Sequence, residues 1–182
     1  MYEVEVKVRA DHDAVRDRLS DLDAELLGTV EQIDTYFDAP HRDFAETDEA
    51  LRLREERDSE GALTEVTYKG PLVEAESKTR EEIESEVADR ERVQAIFESL
   101  GFSPAATVEK ERTRYRVDGF TVTLDSVADV GEFVEVETEC EREADVPAER
   151  EAAQDLVRSL DLDPDDGIRT SYLGMLLTDE DA

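Results

Sequence analysis

The sequence predicts an α+β protein built on an eight-stranded, mostly antiparallel β-barrel with a polar lumen and flanking helices. Apolar and polar residues alternate with period two along most of the 182-residue chain. Eight segments show this alternation, and many of them carry charged residues along one face. The chain also reads as two pseudo-repeated halves. A sheet that closes on itself can turn the charged faces inward and pack the apolar faces under helices.

The first strand shows the pattern most clearly, because the run YEVEVKVR at residues 2–9 alternates one aromatic and three valines with four charged residues. Each such segment is bounded by turn-forming or helix-capping residues. The other predicted strands cover about residues 24–38, 50–57, 62–70, 77–87, 105–117, 119–127 and 132–141.

Helices are predicted between some of these strands. They cover about residues 13–22, 89–100 and 147–160, and a short last helix contains Tyr172. Asp11 or Asp13 caps the first helix, and Gly101 ends the second in a left-handed conformation. Pro147 suits the first turn of the third.

An offset of 79 residues relates the two halves. It places the first strand on the fifth, the first helix on the second, and Tyr36 on Tyr115 without a gap. We therefore expect a single domain over residues 1–177, followed by a frayed acidic tail over residues 178–182.

The composition indicates a protein adapted to high salt. The chain has 51 acidic and 21 basic residues, a formal charge of −30, and its basic residues are 17 Arg and only 4 Lys. At about 1 M salt the Debye length is roughly 3 Å, so repulsion between surface acids is screened. We therefore expect a halophile's cytoplasmic protein. An acidic protein of an ordinary cytoplasm is the alternative, but it leaves the scarcity of Lys unexplained.

Several classes of function are disfavoured by the same residues. A surface this acidic argues against binding to nucleic acid or to an anionic membrane. No apolar run approaches the roughly 18 residues of a membrane span, and the first residues lack a signal-peptide pattern. Cys140 is the only cysteine, which excludes an internal disulfide and a cysteine-rich metal site.

The charged strand faces are the candidate site. All four lysines lie on these predicted strands or at their edges, although Lys is scarce elsewhere. Cations inside a barrel require either paired acids or a bound polyanion. Clustered carboxylates beside them suit Mg²⁺ or Mn²⁺, which favours phosphoryl or nucleotidyl transfer. The alternative is a set of solvated faces with ordinary surface ion pairs, each worth well under ~1 kcal/mol.

The N-terminal run EVEVK at residues 3–7 resembles the Glu-x-Glu-x-Lys signature of the CYTH superfamily. This superfamily groups class IV adenylate cyclases with thiamine triphosphatases and inorganic triphosphatases, the triphosphate tunnel metalloenzymes. The resemblance covers about residues 2–177 and looks most like the class IV cyclase branch. It continues in order through QIDTYF at 32–37, LRLR at 51–54, TYKGP at 67–71, REEIE at 80–84, KER at 110–112, TLD at 123–125, GEFVEVE at 131–137 and SY at 171–172.

The resemblance implies an eight-stranded tunnel that holds a triphosphate, with Mg²⁺ or Mn²⁺ as cofactor. The implied metal ligands are Glu3, Glu5, Asp125, Glu135 and Glu137. The implied phosphate-binding residues are Lys7, Arg52, Arg54, Lys69, Arg80, Lys110 and Arg112. Glu82 and Glu84 would orient these cations. Arg114 and Arg116 continue the alternation without an assigned role.

Three functions stay open at this point. A cyclase would convert ATP to cyclic AMP and pyrophosphate, and this is the function expected first. A triphosphatase would hydrolyse inorganic triphosphate or an organic triphosphate such as thiamine triphosphate, with Lys110, or Lys7 together with Tyr36, placing the attacking water. A non-catalytic binder of polyphosphate or nucleotide ranks last, since anion binding alone needs no carboxylates. The expected partner is a small-molecule triphosphate, and a homodimer is an open alternative for the assembly.

The salt adaptation predicts a loss of thermal stability at low salt. When KCl is lowered from about 2 M to about 0.1 M, the Debye length grows from a few Å to about 10 Å and the surface acids repel one another. The melting temperature, followed by circular dichroism, should therefore fall. An unchanged melting temperature over that range would contradict the inference of a halophile.

Overall fold

A computed structural model describes residues 2–73 and 79–180, which form eight strands and five α-helices. The strands are β1 (Tyr2–Arg9), β2 (Glu25–Asp38), β3 (Ala50–Arg57), β4 (Ala62–Leu72), β5 (Arg80–Val87), β6 (Ser103–Val117), β7 (Phe120–Val127) and β8 (Gly131–Cys140). The helices are α1 (His12–Asp21), α2 (Phe44–Thr47), α3 (Arg90–Ser99), α4 (Val146–Ser159) and α5 (Tyr172–Glu180). Short 3₁₀ turns cover Glu143–Asp145 and Pro164–Asp166.

The strands close into a barrel in the order β1-β5-β4-β3-β2-β6-β7-β8. All neighbouring strands in the described ranges pair antiparallel. Exchanging the first four strands for the last four leaves this order of neighbours unchanged. The architecture therefore has the two pseudo-repeated halves predicted from the sequence, and the predicted fold class is confirmed.

The seam between β1 and β5 differs from the equivalent central seam. β2 pairs with β6 over its whole length, from Glu25 to Asp38. In the described residues, β1 pairs with β5 through Tyr2 with Glu81 and Glu3 with Arg80, at the start of both strands. The remaining length of β1 instead meets the segment before α5, where the Ile168 backbone N–H donates to the Lys7 carbonyl at 2.7 Å.

The apolar core lies outside the barrel, between its outer surface and the helices. Outward-facing residues of β1, β7 and β8, among them Val8, Leu124 and Val136, pack against α1 and α4. Leu19 of α1 and Val157 of α4 are almost fully buried there. With the apolar faces packed outward, the charged faces of the same strands necessarily point into the lumen.

Local signals set several element ends. The Asp11 carboxylate accepts from the Ala14 backbone N–H at 3.0 Å, which caps α1. Gly101 follows α3 with φ of 92°, and a Cβ there would meet Pro40 at 3.1 Å. Asp118 and Gly119 both have positive φ in the two-residue turn between β6 and β7, as a type I′ hairpin turn requires.

The gapless offset of 79 residues is wrong for the second strand of each half. Tyr36 lines the central cavity, whereas Tyr115 packs against the outer core. Register shifts occur between β2 and β6 at Leu26/Gly28 and at Tyr36/Phe37. Because side chains alternate with period two, an odd offset puts equivalent residues on opposite faces. A one-dimensional comparison does not detect such bulges.

The predicted elements otherwise recur with small differences at their ends. The first residues of the predicted fifth strand, 77 and 78, lie outside the described residues, as do residues 181 and 182 of the predicted tail. The last helix continues to Glu180, beyond the predicted domain end, and α2 was not predicted. No helix in the described ranges is long and apolar enough to span a membrane.

Candidate active site

The barrel encloses a cavity of about 980 Å³, lined by charged side chains from all the strands except β7 and by the segment around α5. Most of the implied site residues line it. They are Glu3, Glu5, Tyr36, Arg52, Arg54, Lys69, Arg80, Glu82, Glu84, Lys110, Arg112, Glu135 and Glu137. Alternation along the strands turns these side chains inward, and the closed barrel brings them around one space.

One wall of the cavity is cationic and is organised by Asp34. Its carboxylate accepts two hydrogen bonds from Arg54, at 2.6 and 2.7 Å, and one from Lys110 at 3.0 Å. A guanidinium nitrogen of Arg52 lies 4.0 Å away. Burial opposes ionisation, but the charges of Arg54 and Lys110 hold the pKa of Asp34 well below its ordinary value. Asp34 is therefore the anion that keeps three cations together.

Lys110 is the cation whose charge is most easily lost. Burial, together with the nearby Arg54 and Arg112 charges, lowers the pKa of Lys110 to about 7, although Asp34 acts in the opposite direction. A lysine with such a pKa can exchange a proton near neutral pH.

Arg112 joins the cationic wall to the acidic one. Its guanidinium donates to both oxygens of Asp125, at 2.6 and 2.5 Å, and to Glu135 at 2.5 Å. Burial acts against the charged form, but Asp125 and Glu135 raise the pKa of Arg112 above its ordinary value. The Asp125 carboxylate also accepts from the Tyr172 hydroxyl at 2.9 Å.

The acidic wall comes from neighbouring strands β1 and β8. Glu5 lies opposite Glu137 in the sheet register, and Glu135 lies opposite Lys7. Burial, followed by the charges of Glu3, Glu135 and Glu5, raises the pKa of Glu137 to about 8 against the pull of Arg112. This wall holds more negative charge than its surroundings neutralise, so it favours a bound cation or proton.

The donor chemistry of this wall fits a hard divalent cation, because carboxylate oxygens are the ligands that Mg²⁺ and Mn²⁺ prefer. Within residues 2–73 and 79–180, however, no three Asp, Glu, His or Cys side chains are arranged to hold a metal ion. Asp125 is engaged by Arg112 and Tyr172 instead. Glu3, Glu5, Glu135 and Glu137 would therefore have to turn toward a cation when it binds.

Two further cations are paired with acids of β5. Lys69 donates to Glu82. Arg52 donates to Thr67 at 2.8 Å and lies 3.5 Å from Glu84. These contacts match the orienting role that the resemblance implies for the two glutamates.

Arg80 is placed differently from the other implied phosphate-binding residues. Its guanidinium donates to the backbone carbonyls of Gly70 at 3.0 Å and Asp48 at 3.3 Å. It also lies 3.6 Å from the Asp48 carboxylate. Arg80 lines the cavity and at the same time ties β5 to the turn that follows α2.

Lys7 and Tyr36 are separated in their surroundings. Lys7 is 1% exposed, and its Nζ donates to the Thr170 carbonyl at 2.7 Å and lies 4.2 Å from the centre of the Tyr172 ring. Tyr36 lines the cavity and packs on the apolar cluster that contains Tyr172. The segment before α5 thus takes up the lysine of the sequence signature.

The sequence analysis assigned no role to three residues that organise the site. Asp34 is one, although the inward alternation of Gln32, Asp34 and Tyr36 on β2 was a usable signal. Glu56 is the second, and it accepts two bonds from Arg114 at 2.9 and 2.6 Å. Tyr172 is the third. Arg116 is exposed at the end of β6.

Comparison with known proteins identifies the family. A sequence model of the CYTH domain matches residues 1–172. The chain belongs to the CYTH family. It is an enzyme of the CYTH type. CYTH enzymes act on triphosphates such as ATP and generally depend on divalent metal ions.

Individual relatives match this CYTH chain over most of their length. "Putative adenylate cyclase MJ0240" of Methanocaldococcus jannaschii is 37% identical over 174 residues, which are 95% of this chain and 97% of the relative. Adenylate cyclase CyaB of Aeromonas hydrophila is 31% identical over 163 residues, 88% of this chain and 81% of the relative. The solved structure of the PH1819 protein from Pyrococcus horikoshii superposes with a TM-score of 0.91 at 36% identity, covering 97% of this chain and 99% of that one.

The Asp34 cluster generates a stability prediction. Asp34→Asn keeps the size of the side chain but leaves Arg54 and Lys110 without their shared anion, so the free energy of unfolding should fall by about 3–5 kcal/mol. Inorganic triphosphate should recover part of this loss, because its oxygens can replace the carboxylate. Thermal melts with and without the anion measure both effects.

The matched control is Asp13→Asn on α1, whose side chain is 95% exposed. It should change the stability by less than about 0.5 kcal/mol. Equal melting temperatures for the two variants would contradict the role given to Asp34.

Proposed function

We propose that this enzyme is an adenylate cyclase of the class IV type, which converts ATP to cyclic AMP and pyrophosphate with Mg²⁺ or Mn²⁺. The observation that carries the proposal is a single cavity with a cationic wall beside an acidic wall. This arrangement suits a triphosphate with its metal ion. The cyclase names of two relatives, at 37% and 31% identity, favour ATP among the triphosphates.

The cationic wall would hold the phosphates. Arg52, Arg54 and Lys110 share Asp34 in the barrel, so phosphate oxygens would enter by competing with one carboxylate. Charge-assisted hydrogen bonds from guanidinium groups suit phosphate oxygens because two parallel N–H groups can bind at once. The remaining implied phosphate ligands are Lys7, Lys69, Arg80 and Arg112.

The acidic wall would hold the metal. Glu3, Glu5, Glu135 and Glu137 are the side chains that would bind it, with Asp125 available only if its bonds to Arg112 and Tyr172 open. A bound Mg²⁺ or Mn²⁺ supplies positive charge to phosphate oxygens as charge develops on them.

In the proposed reaction the ribose 3′-oxygen attacks the α-phosphorus. The bond from that phosphorus to the oxygen bridging the α and β phosphates breaks, and pyrophosphate leaves. The 3′-hydroxyl proton must be accepted as the new bond forms. Lys110 is the candidate acceptor, since burial and neighbouring arginines give it a pKa of about 7. The barrel's part is to orient the two reacting groups and to exclude water.

Hydrolysis of the terminal phosphate is the second candidate function. The observation that favours it is Tyr36, whose side chain lines the same cavity as Lys110. A tyrosine hydroxyl and a lysine amine can together place a water molecule at the terminal phosphorus. Inorganic triphosphate or an organic triphosphate such as thiamine triphosphate would then be the substrate.

We also propose that the enzyme works in a salt-rich cytoplasm, and two features support this. Its acidic residues, 51 of 182, are spread along the chain rather than gathered in a tail. The three lysines that the structure describes, Lys7, Lys69 and Lys110, all make contacts inside the barrel. Lys78 lies outside the described residues.

Product analysis tests the proposed function. The protein is incubated in high KCl with Mg²⁺ or Mn²⁺ and, separately, with ATP, inorganic triphosphate and thiamine triphosphate, and the products are separated by anion-exchange chromatography. We expect cyclic AMP and pyrophosphate in equal amounts from ATP. Orthophosphate without cyclic AMP would favour the triphosphatase, and no turnover of any substrate would refute both enzymatic functions.

The metal assignment predicts the behaviour of Glu5→Gln and Glu135→Gln. Each change keeps the side-chain size and removes an anionic ligand, so turnover should fall by about 10²-fold or more and the Mn²⁺ concentration for half-maximal activity should rise. Glu81→Gln, at an exposed position of β5, is the control and should behave as the unchanged protein. Ordinary metal dependence in both active-site variants would remove these residues from the metal site.

A further inference from the structure

The segment that leads into α5 reaches the interior of the barrel through one aromatic side chain. Tyr172 begins α5 and is 7% exposed, and it packs with Val108, Val127 and Phe133 at the end of the barrel. Its ring centre lies 5.0 Å from that of Phe133. A residue from outside the eight strands is thus held firmly at the inner surface.

Tyr172 contacts three of the residues assigned to the triphosphate and metal. Its hydroxyl donates to Asp125 at 2.9 Å. Its ring centre lies 4.2 Å from Lys7 Nζ and 5.5 Å from Lys110 Nζ. Both ammonium groups are within the distance at which a cation is attracted to an aromatic face. One side chain therefore touches a carboxylate through its hydroxyl and two cations through its ring.

The position of this segment is fixed independently of the ring. The Ile168 N–H donates to the Lys7 carbonyl at 2.7 Å, and Lys7 Nζ donates to the Thr170 carbonyl at 2.7 Å. The segment occupies the side of β1 where, in the described residues, β5 has already diverged. Tyr172 consequently reaches the lumen from a backbone that is bonded to the signature strand itself.

We propose that Tyr172 is a positioning residue that orders Lys7, Lys110 and Asp125 for the triphosphate. The hydroxyl fixes the carboxylate against Arg112, and the ring keeps the two ammonium groups on the cavity side of the apolar cluster. The inference rests on the proposed function in one respect, that these three groups handle a triphosphate. It does not depend on whether the substrate is cyclised or hydrolysed.

Two substitutions separate the hydroxyl from the ring. Tyr172→Phe keeps the ring and should leave the dissociation constant for inorganic triphosphate within about threefold, while kcat falls by about tenfold or more because Asp125 loses a charge-assisted bond. Tyr172→Leu also removes the ring, so the dissociation constant should rise by about tenfold. Calorimetric titration with inorganic triphosphate measures binding, and turnover is measured with the triphosphate that the unchanged protein converts.

Tyr115→Phe on the outer face of β6 is the matched control, and it should alter neither quantity. Thermal melts establish the folded fraction of every variant, and rates are expressed per folded molecule. Unchanged kcat in Tyr172→Phe together with unchanged binding in Tyr172→Leu would overturn the inference. Absence of cyclic AMP would refute the proposed cyclase alone, since triphosphate binding still tests Tyr172. Failure of the folded, unchanged protein to bind triphosphate would overturn both.

Discussion

The structure depends on neutralising charge inside a closed sheet. Arg54 and Lys110 are both buried around Asp34, and an ammonium or guanidinium left alone there would cost several kcal/mol. Such buried pairs contribute little net stability compared with apolar residues of the same volume. Their retention in the barrel is therefore better explained by what the cations can bind. The outer core under α1 and α4 supplies the apolar burial that holds the barrel around them.

The two walls differ in how far their charges are compensated. On the cationic side, Asp34 and Glu56 each satisfy the guanidinium groups beside them with paired hydrogen bonds. On the acidic side, burial and neighbouring glutamates push the pKa of Glu137 to about 8. A triphosphate carrying a divalent cation meets both conditions together, because its oxygens suit the arginines and its metal suits the carboxylates. A bare polyanion would relieve only one wall.

Period-two alternation was sufficient to predict the eight strands and the inward face of most of them. Pairing within the site was harder to predict, because it depends on strand register. The shifts at Leu26/Gly28 and Tyr36/Phe37 break the simple offset between the halves and put Tyr36 and Tyr115 on opposite sides of the sheet. A count along the chain contains no information about such bulges. Asp34 was passed over for a related reason, since its value lies in partners 20 and 76 residues away.

The end of the chain shows why the site is not a property of the barrel alone. The two-fold relation between the halves would give β1 and β5 the same long pairing as β2 and β6, yet their pairing in the described residues is confined to the start of each strand. Backbone groups of β1 beyond Glu3 therefore need other partners, and the segment at Ile168 and Thr170 supplies them at Lys7. The same departure from symmetry admits Tyr172 to the lumen, where its hydroxyl reaches Asp125. The half-repeat thus explains the framework, and its broken seam explains how a single residue of the last helix can contact cations and acids together.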